Sequence, residues 1–424
     1  MRTFFYMPER MFSTLAQAVS VWLMFAKLVL MVDDQANWIG SEVCDMQPRV
    51  AILGAGIAGL AAAAACEIRH ISYQLFDPSE APLVGGAALT LWPNALIALA
   101  QLGVLSQPPD WMHFIQQGDV RTDEDASLYA LPLAWLERRY GYKPTCVRRV
   151  DLAHWLWKSI GKPSICRDGC TAITSRPDGV IVQFASGERE RFDGVIAADG
   201  IHSVARRQLS GRTERGAHYT AWRGIATTTE IEAATMREYW GPGVRFGYAS
   251  IHPVAVYWFA TLNNHMLPMD EQQWWPKVVE RLGAFPREVQ TCLGATPAAE
   301  ILRHAVRDVT PGGPLMRDNL VLVGDAAHAI TPNLGLGACL ALEDAAALAV
   351  CIDGEKPLKV AFQQYAVRRR RRVARIAHLT RGLGTVTQWE NAQLSAARNR
   401  AIRTVPSGMT HLAWRILLDN ESTF

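Results

Sequence analysis

Apolar and polar positions change register sharply at Pro48. Val50-Ala51-Ile52-Leu53 is a short continuous apolar run, the pattern of a strand buried on both faces, and Gly54-Ala55-Gly56-Ile57-Ala58-Gly59 then opens an alanine-rich helix running to about His70. Tyr73-Gln74-Leu75-Phe76 reads as a second strand ending in Asp77. Two later apolar runs have the same form: Gly194-Val195-Ile196-Ala197-Ala198 breaks at Asp199-Gly200, and Leu320-Val321-Leu322-Val323 breaks at Gly324-Asp325. A helix from Ala338 to Val350 and a longer one from near Leu358 follow, and Gln388 to Leu418 closes the chain with one or two more. Between 213 and 297 the chain is rich in Trp, Tyr and Phe, with strand-like runs such as Ala255 to Ala260.

Length and composition add limits. A chain of 424 residues has room for two to three domains, and 49% hydrophobic with 20% charged residues is the balance of a globular enzyme. The formal charge of +3 gives no general argument for nucleic acid. The eight cysteines form no CxxC pair and no short-spaced framework, which favours reduced thiols, a cytoplasmic setting and no metal site. Residues 12 to 32 are an apolar stretch of nearly bilayer-spanning length, interrupted by Lys27 and flanked by Arg2, Arg10, Asp33 and Asp34. Three readings stay open: a membrane anchor, a dispensable extension ahead of a start at Met31 or Met46, and an extra buried helix.

The first strand, helix and second strand carry GxGxxG in the context that gives it meaning. Gly54 permits the tight turn, Gly56 lets the backbone approach a pyrophosphate, and Gly59 lets the helix pack on the strand. The N–H groups through Ala55, Ile57 and Ala58 lie at the positive end of the helix. Asp77 stands where a carboxylate binds ribose hydroxyls, which argues for FAD or NAD over NADP. This motif alone does not separate the first two.

The Asp199-Gly200 and Gly324-Asp325 strand ends, with Thr331-Pro332-Asn333-Leu334-Gly335-Leu336-Gly337 after the second, do. In this order the three motifs make the chain resemble the class A flavoprotein monooxygenases, the para-hydroxybenzoate hydroxylase-like group, over residues 49 to about 380. Leu91-Trp92-Pro93-Asn94, Ala221-Trp222-Arg223-Gly224 and Val256-Tyr257-Trp258-Phe259 look most like its urate hydroxylase, salicylate hydroxylase and zeaxanthin epoxidase branch. The resemblance implies an α/β fold: a Rossmann-like FAD-binding domain with a parallel sheet, an inserted α+β domain with a mixed or antiparallel substrate sheet, and C-terminal helices. The expected divisions are an extension over 1–46, an FAD domain of 47–118, 141–212 and 298–380, a substrate sheet of 119–140 and 213–297, and a helical end of 381–424.

It also implies roles. Asp325, after Gly324, would bind the ribityl chain. Pro332, Gly335, Leu336 and Gly337 would lie beside the isoalloxazine, with Ala338 and Cys339 opening the following helix. Arg149 matches the arginine that contacts FAD, Thr90 a small flavin-side residue, and Asp199 with Gly200 both FAD and the groove where NADH or NADPH docks transiently. Two positions depart from the pattern: Asp77 replaces the usual Glu, and Leu336 the usual Gln, which would remove a polar group near the flavin. The implied reaction uses NAD(P)H and O2 and hydroxylates an aromatic or heteroaromatic molecule through a flavin C4a-hydroperoxide. Epoxidation of an isoprenoid or polyene is the alternative among enzymes, and a catalytically silent nucleotide-binding escort protein the alternative outside them.

The substrate side is less legible. Arg223 and Arg245 lie on expected strands and could hold a carboxylate or phenolate, or pair at the surface. Tyr257 could polarise a substrate oxygen or simply pack. His328 and His202 read as structural, because oxygen transfer belongs to the cofactor. Arg368 to Arg372 read as a solvated helix with some pairing to Glu343 or Asp344.

Overall fold

The computed structural model describes residues 48–80, 86–176 and 178–419. The apolar stretch 12–32, and with it Cys44, lies outside the described residues.

A six-stranded sheet forms the first layer, in the order Met316–Arg317, Leu320–Leu322, Gly194–Ala197, Val50–Leu53, Tyr73–Phe76, Ile165–Cys166. All neighbours are parallel except the first pair, an antiparallel hairpin. Val50–Leu53 is buried throughout, as a parallel strand covered on both faces must be. Leu53 pairs with both Ala197 and Phe76, and Ala197 with Leu322. The four strands therefore end level, and Gly54, Asp77, Asp199 and Gly324 collect at one carboxyl edge. The helix Ile57–Glu67 packs against the helix Gly337–Cys351. Ala61 to Ala65 in the first are at most 1% exposed, so small side chains set this close approach.

The second layer is a seven-stranded sheet in the order Leu302–Val309, Glu214–Thr227, Ala255–Asn263, Val244–His252, Thr235–Gly241, Gln117–Thr122, Ser127–Ala130. It is antiparallel except where Thr235–Gly241 meets Gln117–Thr122. Leu302–Val309 pairs along Glu214–Thr227, so this sheet runs past the border expected at 297, because the return from the insert is itself its edge strand. Alternation sorts the aromatics. Trp222, Tyr239, Phe246 and Trp258 pack on one face with Val278, Leu282, Val289 and Cys292 of the helices Trp274–Leu282 and Arg287–Gly294. Their neighbours Arg223, Arg245, Tyr257 and Phe259 face a cavity between the two layers.

The helix Leu358–Thr387 carries the arginine run; the expected pairing to Glu343 and Asp344 is present, but the expectation of a solvated run needs correction at two positions. Arg369 and Arg372 are 4% and 8% exposed. Three residues apart, they share the inward face and meet Glu343 and Asp344, while Arg368, Arg370 and Arg371 point outward. The helices Ala392–Arg403 and Ser407–Leu418 close the chain. Among the described residues no helix is long and apolar enough to cross a membrane.

Candidate active site

The cavity has a volume of about 1310 Å³. Gly56, Ile57, Ala58, Thr90, Arg149, Gly200, Asp325, Pro332, Gly335, Gly337 and Ala338 line it from the nucleotide side, and Arg223, Arg245 and Tyr257 from the sheet. Gly54, Ala55, Gly59, Asp77, Asp199, Gly324, Leu336 and Cys339 do not line it.

Sterics dictate the first and third glycines of the leading motif. Gly54 sits at φ +100°, and a Cβ there would lie 2.4 Å from the Ala198 carbonyl oxygen; one on Gly59 would lie 1.8 Å from the Gly54 oxygen. The carboxylate of Asp77 fixes the same turn, accepting the Ala55 N–H at 2.7 Å and the Ser79 N–H at 2.9 Å. Arg149 approaches Gly56: a Cβ on that glycine would stand 3.8 Å from its guanidinium. Among the described residues Arg149 has no ion-pair partner, so helix N-terminus and free cation face one space.

The other strand ends are also prepared. Asp199 accepts the N–H groups of Val204 and Ala205 on one oxygen, at 2.8 and 3.3 Å, and leaves Oδ1 buried without a partner. Burial pushes its carboxyl up, against Ser203 and backbone amides that pull it down. Asp325 lines the cavity with its side chain accessible, and the protein packed around it raises its carboxyl too, opposed by His328, Arg149 and Arg206. Arg206, fully buried, donates to the carbonyls of Asp325 and Ala326, both at 3.2 Å, and to that of Ile201. It ties one strand-end loop to the other. Behind Asp325, Asp344 accepts the Gly324 N–H at 2.8 Å, meets His328 Nε2 at 2.6 Å and pairs with Arg369. His328 thus anchors the loop, and exposed His202 pairs with Glu214.

The loop before the helix Gly337–Cys351 turns at Gly335, with φ +63°. A Cβ there would come within 3.4 Å of Thr90 and of Trp92, whose Nε1 donates to the Leu334 carbonyl at 3.0 Å. Leu336 corrects an expectation: its side chain is 1% exposed and belongs to the main core, so the substitution leaves the cavity wall untouched. The turn at Gly335 points the next side chain inward, where leucine needs no hydrogen-bond partner. Cys339 is likewise buried, its thiol toward the Thr90 carbonyl.

On the sheet side the two arginines part. Arg245 is 2% exposed; its Nε lies 2.7 Å from Glu238, and its Nη1 donates to Asn333 Oδ1 at 2.7 Å and Thr387 Oγ1 at 3.0 Å. It is neutralised and braces the loop, contrary to the expectation of a cation free for substrate or paired at the surface. Asn333 also accepts from Tyr219 and donates to the Thr380 carbonyl, joining loop, sheet and long helix. Arg223, half-buried on the cavity wall, has no partner among the described residues. Near it, burial pushes the Tyr257 hydroxyl up to about 12 against the pull of Arg223, and burial with Arg223 pushes His304 down. The sequence reading missed Glu238, His304 and Trp414 as wall residues. No local motif marks them, since each is brought in by strand register or helix docking.

These features fit FAD: a helix N-terminus with an unpaired arginine for the diphosphate, carboxylates at strand ends for hydroxyls, and an orphaned buried oxygen at Asp199. Comparison with known proteins agrees. Residues 171–379 match the family model described as an FAD binding domain. The chain is 30% identical to the aurachin C monooxygenase/isomerase of Stigmatella aurantiaca, over 84% of this chain and 94% of that one. It is 31% identical to the 2-heptyl-3-hydroxy-4(1H)-quinolone synthase of Pseudomonas aeruginosa, with the same shares covered. Klebsiella pneumoniae HpxO, solved with FAD and uric acid, superposes with a TM-score of 0.80 at 25% identity, over 88% of this chain and 96% of that one. The chain belongs to the class A flavin-dependent monooxygenases.

Proposed function

We propose that this protein hydroxylates an aromatic or heteroaromatic small molecule, using FAD, NADH or NADPH, and O2. The observation that carries this reading is one cavity walled on one side by Gly56–Ala58, Arg149, Asp325 and the 332–337 loop, and on the other by unpaired Arg223 and Tyr257. Uric acid, held by the K. pneumoniae relative, and the quinolone of the P. aeruginosa one are both planar heteroaromatic molecules with polar ring substituents.

When bound, FAD supplies hydride acceptance and oxygen activation, chemistry that no side chain offers. The chain supplies the rest. Arg149 and the helix N-terminus at Gly56 would hold the diphosphate, Asp77 a ribose, and Asp325 the ribityl hydroxyls, with Asp199 also toward the FAD. Glycines 335 and 337 bring backbone to the ring, and the N-terminus of Gly337–Cys351 favours negative charge there. Arg223 attracts a carboxylate, or favours the ionised form of a phenol, whose phenolate makes the ring the better nucleophile, and Tyr257 donates to a substrate oxygen. The sheet excludes water from the reaction space. The reduced nicotinamide docks in the groove at Asp199-Gly200. We assign the parallel sheet and its helices to FAD and the seven-stranded sheet to substrate. The seven free thiols among the described residues suit a reducing cytoplasm.

The test is direct. The purified full chain should show a flavin spectrum, and NAD(P)H oxidation should accelerate with a phenol, purine or quinolone while a hydroxylated product accumulates. A chain that takes up no flavin on reconstitution overturns the reading.

A further inference from the structure

The lining of the cavity is not confined to the nucleotide-binding loops and the sheet. Part of it is walled by Leu131, Val405, Met409, Ala413, Trp414 and Leu417, from elements that carry none of the nucleotide-binding residues. Polar groups there satisfy one another: the Trp414 indole N–H donates to the Tyr129 hydroxyl at 2.6 Å. Val405 and Met409 are 40% and 62% exposed, so two large apolar side chains stand open at the cavity lining.

This part is firmly held. Trp92, bonded to the loop at Leu334, packs on Trp414 with ring centroids 4.5 Å apart. Arg372 donates to the carbonyls of Ile416 and Leu417, at 3.0 and 2.6 Å, at the C-terminus of the helix Ser407–Leu418. The apolar wall is therefore registered against the loop expected to border the flavin ring. On the sheet opposite, Arg245, which touches that loop, and Tyr129, which meets Trp414, are three strand spacings apart, or about 14 Å. That width is greater than one aromatic ring.

We propose that the substrate carries a hydrocarbon tail on its aromatic ring, and that the tail lies against the helix Ser407–Leu418, with Ala413 and Met409 setting the length accepted. This rests on the monooxygenase reading and specifies its substrate as an amphipathic one: polar ring toward Arg223 and the loop, apolar chain toward Trp414. Each methylene moved from water onto such a wall strengthens binding by roughly fourfold.

The experiment uses the FAD-loaded full chain and a series of 4-quinolones bearing hydrogen, propyl, pentyl or heptyl at position 2. Dissociation constants come from isothermal titration, and NAD(P)H oxidation is followed separately. The expected result is a stepwise fall in dissociation constant with chain length. Ala413→Trp, or Ala413→Leu if the larger side chain blocks folding, should weaken the heptyl compound at least tenfold more than the unsubstituted ring, appearing in KM before kcat. A flat length dependence, or equal weakening of both ligands, overturns the tail assignment while leaving the monooxygenase reading in place. Length-dependent binding with no stimulated oxidation by any ring supports the tail pocket and counts against the reading beneath it.

Discussion

Arg369 places its Nε 2.6 Å from Asp344 Oδ1, inside the protein, while the other oxygen of the same carboxylate receives the Gly324 N–H. A buried ion pair thus holds the turn that presents Asp325 to the cavity. Arg369 also reaches Glu343, which Arg372 and Asn94 share. Arg369→Met strands part of two buried carboxylates and should cost about 3–5 kcal/mol, read as a lower denaturant midpoint, with weaker FAD retention. An unchanged midpoint would show that the pair contributes nothing.

The same cluster sets an acid limit. Burial alone would raise both carboxyls, but Arg372 and Arg369 at Glu343, and His328 and Arg369 at Asp344, bring each down to about 2. Their ordinary values are about 4.3 and 3.9. A folded pKa below the unfolded one gives stability that is present above the unfolded value and lost as pH falls toward the folded one. Stability should therefore decline between about pH 5 and 2, and the decline should be shallower in Glu343→Gln, measured by urea melts across that range. Equal slopes in both proteins would remove Glu343 from the account.

Asp325→Ala separates binding from folding. Its carboxylate accepts no hydrogen bond from the chain among the described residues, and Arg206 bonds to its backbone carbonyl instead. The flavin-free variant should unfold at nearly the midpoint of the flavin-free wild type yet fail to retain FAD on gel filtration. Full flavin occupancy would count against the assigned role.

Gly59→Ala should behave differently, because its Cβ would meet the Gly54 carbonyl oxygen at 1.8 Å and must push strand and helix apart. Both thermal stability and FAD content should fall together. A normally stable, flavin-loaded variant would show that the turn can relax.

Arg223→Met removes the unpaired cation on the cavity wall. Loss of a charge-assisted hydrogen bond worth about 1.5–3 kcal/mol raises KM for an anionic ring by roughly tenfold to a hundredfold, more than for a neutral analogue. Equal effects on both would assign Arg223 a packing role.

Much of the nucleotide half is legible in the amino-acid order alone. The glycines of 54–59, the strand ends at Asp77, Asp199 and Asp325, and the loop 332–337 are local features, and the steric demands of a tight turn are expressed in adjacent residues. The substrate half is not. Arg223 and Arg245 look alike in sequence, each on a strand of alternating pattern. One is free and the other neutralised because Glu238 and Asn333 arrive from another strand and from a distant loop. Trp414 becomes a cavity wall only through its contact with Trp92, more than three hundred residues earlier in the chain.

By itself, then, the sequence determined where backbone turns, where helix N-termini face a strand edge, and hence that a dinucleotide site opens the fold; these depend on spacing within one supersecondary unit. Only the tertiary structure decided which charges are paired among the described residues, which of five arginines are buried and which side chains of the last helix line the cavity. Those outcomes depend on sheet register and helix docking, which bring together side chains that no local spacing relates, and in a low-dielectric interior the identity of the opposing group settles whether a charge is anchored or available.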